Sequence, residues 1–521
     1  MEEQQVSGLR STEDISGIAS TYIVSPNGLQ RKRDICQIED PKEAAGHMQT
    51  SKDGKTILIP QPSSDPMDPL NWSWSKKHCV LATVSFAALL CDWGIAWGTT
   101  VFQDQAVYWN MSVPAVANSV SGANFMQGVG GVLAVPLTQR YGRLPVLFWS
   151  QLLSCAAVIG AALSPGYAGF AAARTLQGFF NTAPQVIGLS MIHDMFFFHE
   201  HARKIGIWGW CFVTGPYIGP MISELLNERI SWRENYGVLA GLYGLSTIIV
   251  FVFGRETLFD RHCDFKSPGI GGLNGKLQDL TGIAGLYVNG RPTLWAGLRH
   301  TFSISLRPHI FAVSAPYYML TFMWSIGLVN TIGQFITPPP YSFSNTAIAL
   351  LYLAPVIGSI TGDVWGHFFN DFLSNHYIRQ NDGLYEPEAR LWAIWPATIF
   401  AAGSLILIGQ VLQLQLSWVG LAFGWGMFSM AVLAATVAIS AYVLDCFPHH
   451  AAQASSIVNF WRTTGGFCVV YFQTKWVARS GAAVTFGCQA AICVFAFLFV
   501  VAAQIWGRHW RVRFPPPTAE N

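Results

Sequence analysis

Long apolar runs separated by short polar connections make up the chain after Lys77. A helix needs about 20 consecutive apolar residues to cross a bilayer, and twelve runs are close to that length. They cover 78–100, 113–135, 145–163, 167–190, 205–226, 236–254, 309–332, 345–368, 391–412, 417–443, 456–476 and 482–506. The pattern predicts an all-α membrane protein with twelve transmembrane helices in two six-helix bundles.

The polar stretches divide the chain into five parts. Residues 1–77 form a polar tail that we expect to be cytosolic and mostly disordered. Residues 78–254 form the N-terminal bundle, and 255–308 form a central cytosolic loop. Residues 309–507 form the C-terminal bundle, and 508–521 form a cytosolic tail. Two sets of six helices around a long loop are typical of a duplicated transporter.

Basic residues set the predicted orientation. With the N-terminus in the cytosol, most of the 31 Lys and Arg residues fall on the cytosolic side, as the positive-inside rule requires. The same orientation places Asn110, in the sequon Asn110-Met111-Ser112, in the first outer loop. Asn110 is therefore a candidate glycosylation site.

Composition narrows the class of protein further. The 521 residues are 51% hydrophobic and 12% charged, whereas a soluble domain averages about 25% charged residues. A net charge of +2 gives no reason to expect nucleic acid as a partner. Nucleophile triads, metal-ligand spacings and phosphate-binding loops are not found in the sequence, so we expect neither an enzyme, nor a cofactor, nor a metal site.

One polar stripe stands out within the apolar runs. Arg174, Gln177, Asn181 and Gln185 recur at steps of three and four, which keeps them on one helical face. A charged residue at the bilayer centre costs roughly 2.5–3.5 kcal/mol on insertion scales. We therefore expect Arg174 to face a water-filled substrate path. Backbone carbonyls as its partners, or snorkelling to the surface, are the alternatives.

Two further sets of residues are candidates for the substrate path. Asn459 and Arg462 are three residues apart on the eleventh segment, and a structural hub between helices is the alternative for them. Tyr317 and Trp324 share a face of the seventh segment with Thr321 and would suit a flat, apolar molecule. Core packing or lipid contact is the alternative for the two aromatic residues.

Asp92 is the acidic side chain that lies deepest in the predicted membrane region. Proton coupling needs a carboxyl group that can gain and lose a proton there. We therefore select Asp92 as the candidate proton carrier. A fixed partner for an arginine is the alternative.

The connection after the second segment carries a family resemblance. Arg140, Gly142 and Arg143 match the loop between helices 2 and 3 of the major facilitator superfamily, with Gln139 in place of an aspartate. Arg174-Thr175-Leu176-Gln177-Gly178 looks like the fourth-helix motif of the same family. The resemblance implies two helical bundles that rock about a central site, so that Arg140, Gly142 and Arg143 would take part in conformational change.

The fifth segment carries a Gly-Pro motif. Gly215, Pro216, Gly219 and Pro220 resemble the fifth-helix motif of proton-coupled exporters, with proline in place of a final glycine. The resemblance implies a gating or coupling role, and an ordinary helix kink is the alternative.

Two other stretches resemble the fungal twelve-helix drug:proton antiporter group. They are Pro69-Leu70-Asn71-Trp72-Ser73 before the first helix and, after the eighth, Asp371 followed by Gly383-Leu384-Tyr385-Glu386-Pro387-Glu388-Ala389-Arg390-Leu391. We expect Asp371 to join a clasp at the inner face, with Arg379 nearby. Since helices 1 and 4 face one cavity in this fold, we also expect Arg174 to be the charge partner of Asp92.

The resemblance implies a proton-coupled secondary transporter that exports a small organic molecule, such as a secondary metabolite, toxin or drug. Its partners would be the substrate, protons and the lipid bilayer, and we expect a monomer. A proton-coupled importer of a nutrient, polyamine or siderophore is the first alternative, and a transporter-like sensor is the second. We favour the plasma membrane over the vacuolar membrane.

Overall fold

The computed structural model describes residues 60–259, 273–283, 291–381, 386–447 and 450–514. Most of the predicted N-terminal tail, parts of the central loop and the last seven residues lie outside these ranges. Within the described ranges the regular structure is entirely helical. The predicted all-α fold class is confirmed.

The N-terminal half contains eight α-helices. They are α1 (Trp74–Ala96), α2 (Phe102–Trp109), α3 (Val113–Tyr141), α4 (Arg143–Leu163), α5 (Tyr167–Asn181), α6 (Ala183–Met195), α7 (Phe198–Asn227) and α8 (Trp232–Phe253). A break at Thr182 separates α5 from α6 and is followed by Pro184, which fits the first turn of a new helix. We call the side that carries the 110–112 connection the outer side, and the opposite side the inner side.

The central connection carries two short helices among its described residues, which are α9 (Leu273–Thr281) and α10 (Leu294–Ser305). The indole N–H of Trp149 on α4 donates to the carbonyl oxygen of Leu280 at 3.1 Å, so α9 is held against the N-terminal half. Arg140 and Arg291 exchange hydrogen bonds from their guanidinium groups to each other's carbonyl oxygens, at 3.4 and 3.2 Å. The predicted loop is therefore attached to the inner ends of α3 and α4.

The C-terminal half begins with a helix of changing pitch. Its helices are α11 (Pro308–Ala312), a π-helical segment (Val313–Met319), α12 (Leu320–Ile336), α13 (Asn345–Leu351), α14 (Leu353–Gln380), α15 (Ile394–Gln413), α16 (Trp418–Cys446), α17 (Ala451–Ser480) and α18 (Ala482–Arg513). A 3₁₀ turn, Pro387–Ala393, precedes α15. Since α18 continues to Arg513, the predicted tail from residue 508 begins as helix.

Nine of the described helices, counted with their short extensions, are long and apolar enough to cross a membrane. The further candidates are α5 with α6, α7, and α17. These helices carry the polar stripe, the Gly-Pro motif and the Asn459–Arg462 pair. The residues of these candidate sites lower the mean hydropathy of the helices that carry them. A count of twelve fits this arrangement and stays a prediction.

Two helices of the N-terminal half, α3 and α7, make the main contacts with the C-terminal half. α3 packs against α17, and α7 packs against α13 and α14. A Cβ atom at Gly128 of α3 would lie 2.4 Å from the hydroxyl oxygen of Thr463 and 3.2 Å from the Cα atom of Phe460. The α3–α17 contact is therefore a close backbone approach, of the kind that small residues permit between membrane helices.

The Gly-Pro motif lies where α7 crosses α1. Helix α7 runs through both Pro216 and Pro220 without a break. A Cβ atom at Gly215 would lie 2.7 Å from the carbonyl oxygen of Leu89, and one at Gly219 would lie 2.8 Å from that of Trp93. The two glycines thus allow the helices to touch, and the predicted gating role stays a prediction.

A charged clasp closes the inner side of the N-terminal half. Arg143 forms an ion pair with Asp194 at the end of α6. The Glu256 carboxylate accepts the backbone N–H groups of Arg143 and Leu144 at 3.1 and 3.0 Å. Gly142 turns the chain between α3 and α4 at a φ of 109°, which favours glycine. The clasp therefore forms without an aspartate at position 139.

A related cluster lies at the inner side of the C-terminal half. Asp371 lies 3.7 Å from Arg390, which also forms an ion pair with Asp445. Arg390, in the 3₁₀ turn, makes the ion pair with Asp371, whereas Arg379 follows Asp371 on α14. A second pair, Glu388–Arg511 at 2.7 Å, is buried and fastens α18 to the same turn.

Candidate transport site

A buried ion pair joins the two halves at the centre of the molecule. Asp92 of α1 and Arg462 of α17 are 7% and 6% exposed. The guanidinium group donates two hydrogen bonds to the carboxylate, at 2.8 and 3.1 Å. This paired geometry is the strong form of an arginine–carboxylate contact. Breaking it would leave an uncompensated buried charge on either side.

Amide side chains complete the surroundings of this pair. The amide groups of Gln127 on α3 and Gln185 on α6 donate to the Asp92 carboxylate at 2.6 and 3.4 Å. The amide oxygen of Asn459 accepts from Arg462 at 2.9 Å, and its nitrogen donates to the Thr182 hydroxyl at 3.3 Å. Four elements of both halves therefore converge on one charge-neutral network.

Three cavities lie along the boundary between the halves. The inner cavity has a volume of about 200 Å³, the central one about 40 Å³ and the outer one about 100 Å³. Arg462 lines both the inner and the central cavity, and Asp92 lines the central one. The outer and central cavities share Val329 and Asn330. The ion pair thus separates an inner space from an outer one.

The inner cavity has mainly apolar walls interrupted by polar groups, of which Arg462 and Asn459 lie at the end beside the ion pair. Its walls come from α6, α7, α14, α16 and α17 and include Trp208, Phe212, Val437 and Leu444. Its polar groups include Gln185, Tyr318, Asp363, Thr436, Asn459 and Arg462. A small organic molecule with one polar end suits such a space.

The structure gives Arg174 a different partner from the expected one. Its side chain is 0% exposed, and it donates to the carbonyl oxygens of Gly94 and Ile95 at 2.8 and 2.6 Å. Both carbonyls belong to the last four residues of α1, which lack partners within the helix. The expected pairing of Arg174 with Asp92 is therefore wrong, because Arg462 occupies that position.

The rest of the polar stripe follows α1. Asn181 donates to the carbonyl oxygens of Leu90 and Cys91. Gln177 accepts from Arg174 and donates to the Tyr243 hydroxyl at 3.3 Å. Of the four stripe residues, Gln185 alone is among the residues that line the three cavities. The stripe mainly holds α1 in place beside Asp92.

Tyr317 and Trp324 lie in the core of the C-terminal half, each 1% exposed. The Tyr317 hydroxyl lies 3.2 Å from that of Thr398 on α15, and Trp324 packs against Phe472. Neither lines any of the three cavities. Their neighbour Tyr318 lines the inner cavity instead, with its hydroxyl 3.0 Å from that of Thr436.

Sequence reasoning did not select Gln127 and Tyr318. A polar signal for Gln127 is present, since Asn124 and Gln127 stand three residues apart within an apolar run. No comparable signal marks Tyr318. It lies in the π-helical segment, where α-helical spacing does not predict which side of the helix a residue faces.

Asn110 ends α2 in an exposed, left-handed position, and its glycosylation stays a prediction.

Two helical halves around a central ion pair define a multi-pass membrane transporter. The family model of the Major Facilitator Superfamily matches residues 82–470. The chain therefore belongs to this superfamily, and the resemblance predicted from its motifs is confirmed.

Curated relatives include named fungal transporters. The chain is 25% identical to the MFS transporter cpaT of Aspergillus oryzae, covering 75% of this chain and 79% of the relative. It is 23% identical to the efflux pump radE of Floropilus chiversii, covering 85% of this chain and 83% of the relative. Among solved structures, the proton:xylose symporter XylE matches with a TM-score of 0.58 at 13% identity, over 83% of this chain and 96% of that one. At that identity the likeness shows the fold alone.

Proposed function

We propose that this protein exports a small organic molecule against its gradient in exchange for protons. The observation that carries the proposal is the buried Asp92–Arg462 pair, which joins the halves between the inner and outer cavities. A relative named as an efflux pump supports export as the direction. We place the transporter in the plasma membrane, acting as a monomer.

Protonation of Asp92 is the coupling step that we infer. A neutral carboxyl group no longer attracts the guanidinium, so α17 can move away from α1. Gln127 and Gln185 can still bond a protonated carboxyl, since both are amides with donors and acceptors. Arg462 would then be free to meet substrate in the inner cavity, together with Asn459.

The apolar walls of the inner cavity support an organic substrate that is largely hydrophobic. Binding at the end beside the ion pair would place the polar group of the substrate next to Arg462. Deprotonation of Asp92 would then restore the ion pair and return the two halves to the arrangement seen in this structure. The close approach at Gly215 and Gly219, the clasp around Arg143 and the Asp371–Arg390 contact each lie within one half, and we expect them to keep each half rigid while the halves rock. Arg174 would act indirectly, through the position of α1.

Vesicle transport tests this proposal, with rhodamine 6G as the probe. Uphill transport into inside-out vesicles should stop when an uncoupler collapses the proton gradient at constant ATP. Asp92→Asn should lose proton-driven accumulation but keep exchange of labelled for unlabelled probe. Asp363→Asn is the matched control, because it removes an acid from the same cavity that makes no contact with Arg462. Undiminished accumulation with uncoupler, or loss of coupling in Asp363→Asn alone, contradicts the proposal.

A further inference from the structure

The outer cavity contains a buried carboxylate without a partner. Glu224 of α7 is 4% exposed, lines this cavity, and forms neither a hydrogen bond nor an ion pair with any residue that the structure describes. Asp104 and Glu228 add negative charge in its surroundings. Within the described chain, no lysine or arginine lines the cavity. A buried carboxylate is costly when it is left without a cation or a donor.

The other unsatisfied groups of residues that line this cavity are two amide oxygens, which accept, and the Thr99 hydroxyl, which can donate or accept. The amide oxygens of Asn227 and Asn330 are buried and have no hydrogen-bond partner. Their assignment as oxygens is fixed by their nitrogens, because Asn227 donates to Asp104 at 2.8 Å and Asn330 donates to the carbonyl of Ile326 at 2.7 Å. Three residues that line one cavity, Glu224, Asn227 and Asn330, therefore each carry an acceptor without a donor.

The walls of this cavity are partly apolar. Phe102, Val113, Val329 and Ile348 line it beside the acceptors. Its volume of about 100 Å³ leaves room for more than a single water molecule. The outer and central cavities also share Asn330, so a ligand here lies next to the cavity that Asp92 and Arg462 line.

We propose that the outer cavity is a binding site for an organic ammonium ion, with the N–H groups directed at Glu224, Asn227 and Asn330. A protonated amine supplies several donors and one positive charge, which is what the three acceptor groups lack. Its hydrocarbon part would lie against Phe102 and Ile348. Binding at this site does not depend on the proposed function. Its consequence rests on that function: organic amines are then among the molecules that the protein transports.

Binding to the purified protein in detergent tests the site independently of transport. The probes are phenethylammonium and its neutral analogue 2-phenylethanol, measured by isothermal titration calorimetry. We expect phenethylammonium to bind the wild type more tightly than the alcohol. Glu224→Gln should weaken ammonium binding by about tenfold or more, because a buried charge partner is lost. It should leave the binding of the alcohol unchanged, and Glu224→Asp should restore part of the affinity.

Glu234→Gln is the matched control. It removes the same charge at an exposed position at the start of α8, where the carboxylate bonds Ser231 and does not line the cavity, and it should change the affinity for ammonium less than twofold. Equal affinity of wild type and Glu224→Gln for phenethylammonium overturns the proposal, as does an equal loss for both probes. Competition by Na⁺ but not by choline at constant ionic strength would assign the site to an alkali cation and overturn it as well. None of these outcomes bears on proton-driven transport in vesicles, so failure of the site and failure of the proposed function are distinguishable.

Discussion

Arg174 shows how a costly charge can serve structure rather than transport. Its guanidinium donates to the carbonyls of Gly94 and Ile95, at the C-terminal end of α1. Cations are favourable at that end of a helix, because the unpaired carbonyls carry partial negative charge. The arginine therefore fixes the end of α1, and Asp92 lies about one turn before that end.

Arg174→Ala should destabilise the protein by about 1–3 kcal/mol, because two buried carbonyl acceptors lose their donor. Arg174→Lys should restore part of this loss, since an ammonium keeps the charge but lacks the planar fork. Tryptophan fluorescence during thermal unfolding in detergent measures the effect. Arg203→Ala, at an exposed position of the same residue type, is the control. An unchanged melting temperature with a displaced pH optimum of transport would contradict this role.

The sequence predicted the members of the central pair but not their pairing. Asp92 and Arg462 were both selectable as charges inside apolar runs. Their contact joins residues that are 370 positions apart, and nothing local to either one indicates the other. Arg174 fitted the same pattern. The free-energy cost of placing an arginine in the membrane is the same whether the side chain binds substrate or backbone carbonyls, so the sequence does not separate the two roles. Only the side-chain contacts that α5 and α17 make with α1 separate the two cases.

At the scale of helices, close contact depends on glycine. Helices α1 and α7 approach at Gly215 and Gly219, where an added Cβ atom would meet the backbone of Leu89 and Trp93. By contrast, an added Cβ atom at Gly241 of α8 would meet nothing within 4 Å. Some glycines therefore permit close contact between helices and others do not, and the sequence alone does not distinguish the two kinds.

Gly219→Ala should destabilise the protein by about 1–3 kcal/mol, because overpacking forces the backbones of α1 and α7 apart. Gly241→Ala is the matched control and should be neutral or stabilising by about 0.4–1 kcal/mol, since alanine restricts the unfolded chain. Chemical denaturation in detergent compares the two variants. If they unfold at the same denaturant concentration, the close approach of α1 and α7 is not a source of stability.

The seventh predicted segment shows why helical phase is difficult to predict. Spacing at 3.6 residues per turn placed Tyr317 and Trp324 on a substrate-facing side. The π-helical segment Val313–Met319 adds residues to the turn and rotates the helix after it. Tyr318 consequently lines the inner cavity, while Tyr317 faces α15. The existence of this helix was predictable from hydropathy, but its local pitch was not.

For the whole molecule, the order of polar and apolar segments carried most of the information. Each of the twelve predicted apolar runs overlaps a described helix. Helices α2, α9 and α10 were missed, because they are short and lie in the connections between the apolar runs. The excess of basic residues on the inner side predicts the orientation, since loops rich in Lys and Arg stay in the cytosol.

An epitope tag after Asn521 should be recognised by antibody only after cells are permeabilised, because this end is predicted to be cytosolic. A tag inserted between Asn110 and Ser112 should be recognised in intact cells. Immunofluorescence with and without detergent measures both. Recognition of the Asn521 tag in intact cells would refute the predicted orientation, with a cytosolic marker protein as the control for leaky membranes.

The separation of Asp92 and Arg462 has a consequence for biosynthesis. Arg462 is translated 370 residues after its partner, which at ribosomal rates of about 5–20 residues per second is a delay on the order of tens of seconds. During that interval α1 is already in the bilayer without its counter-charge. Gln127 and Gln185, both made earlier than Arg462, are the donors available to the carboxyl group in the meantime. The nascent N-terminal half can therefore hold its buried acid until the last helices arrive.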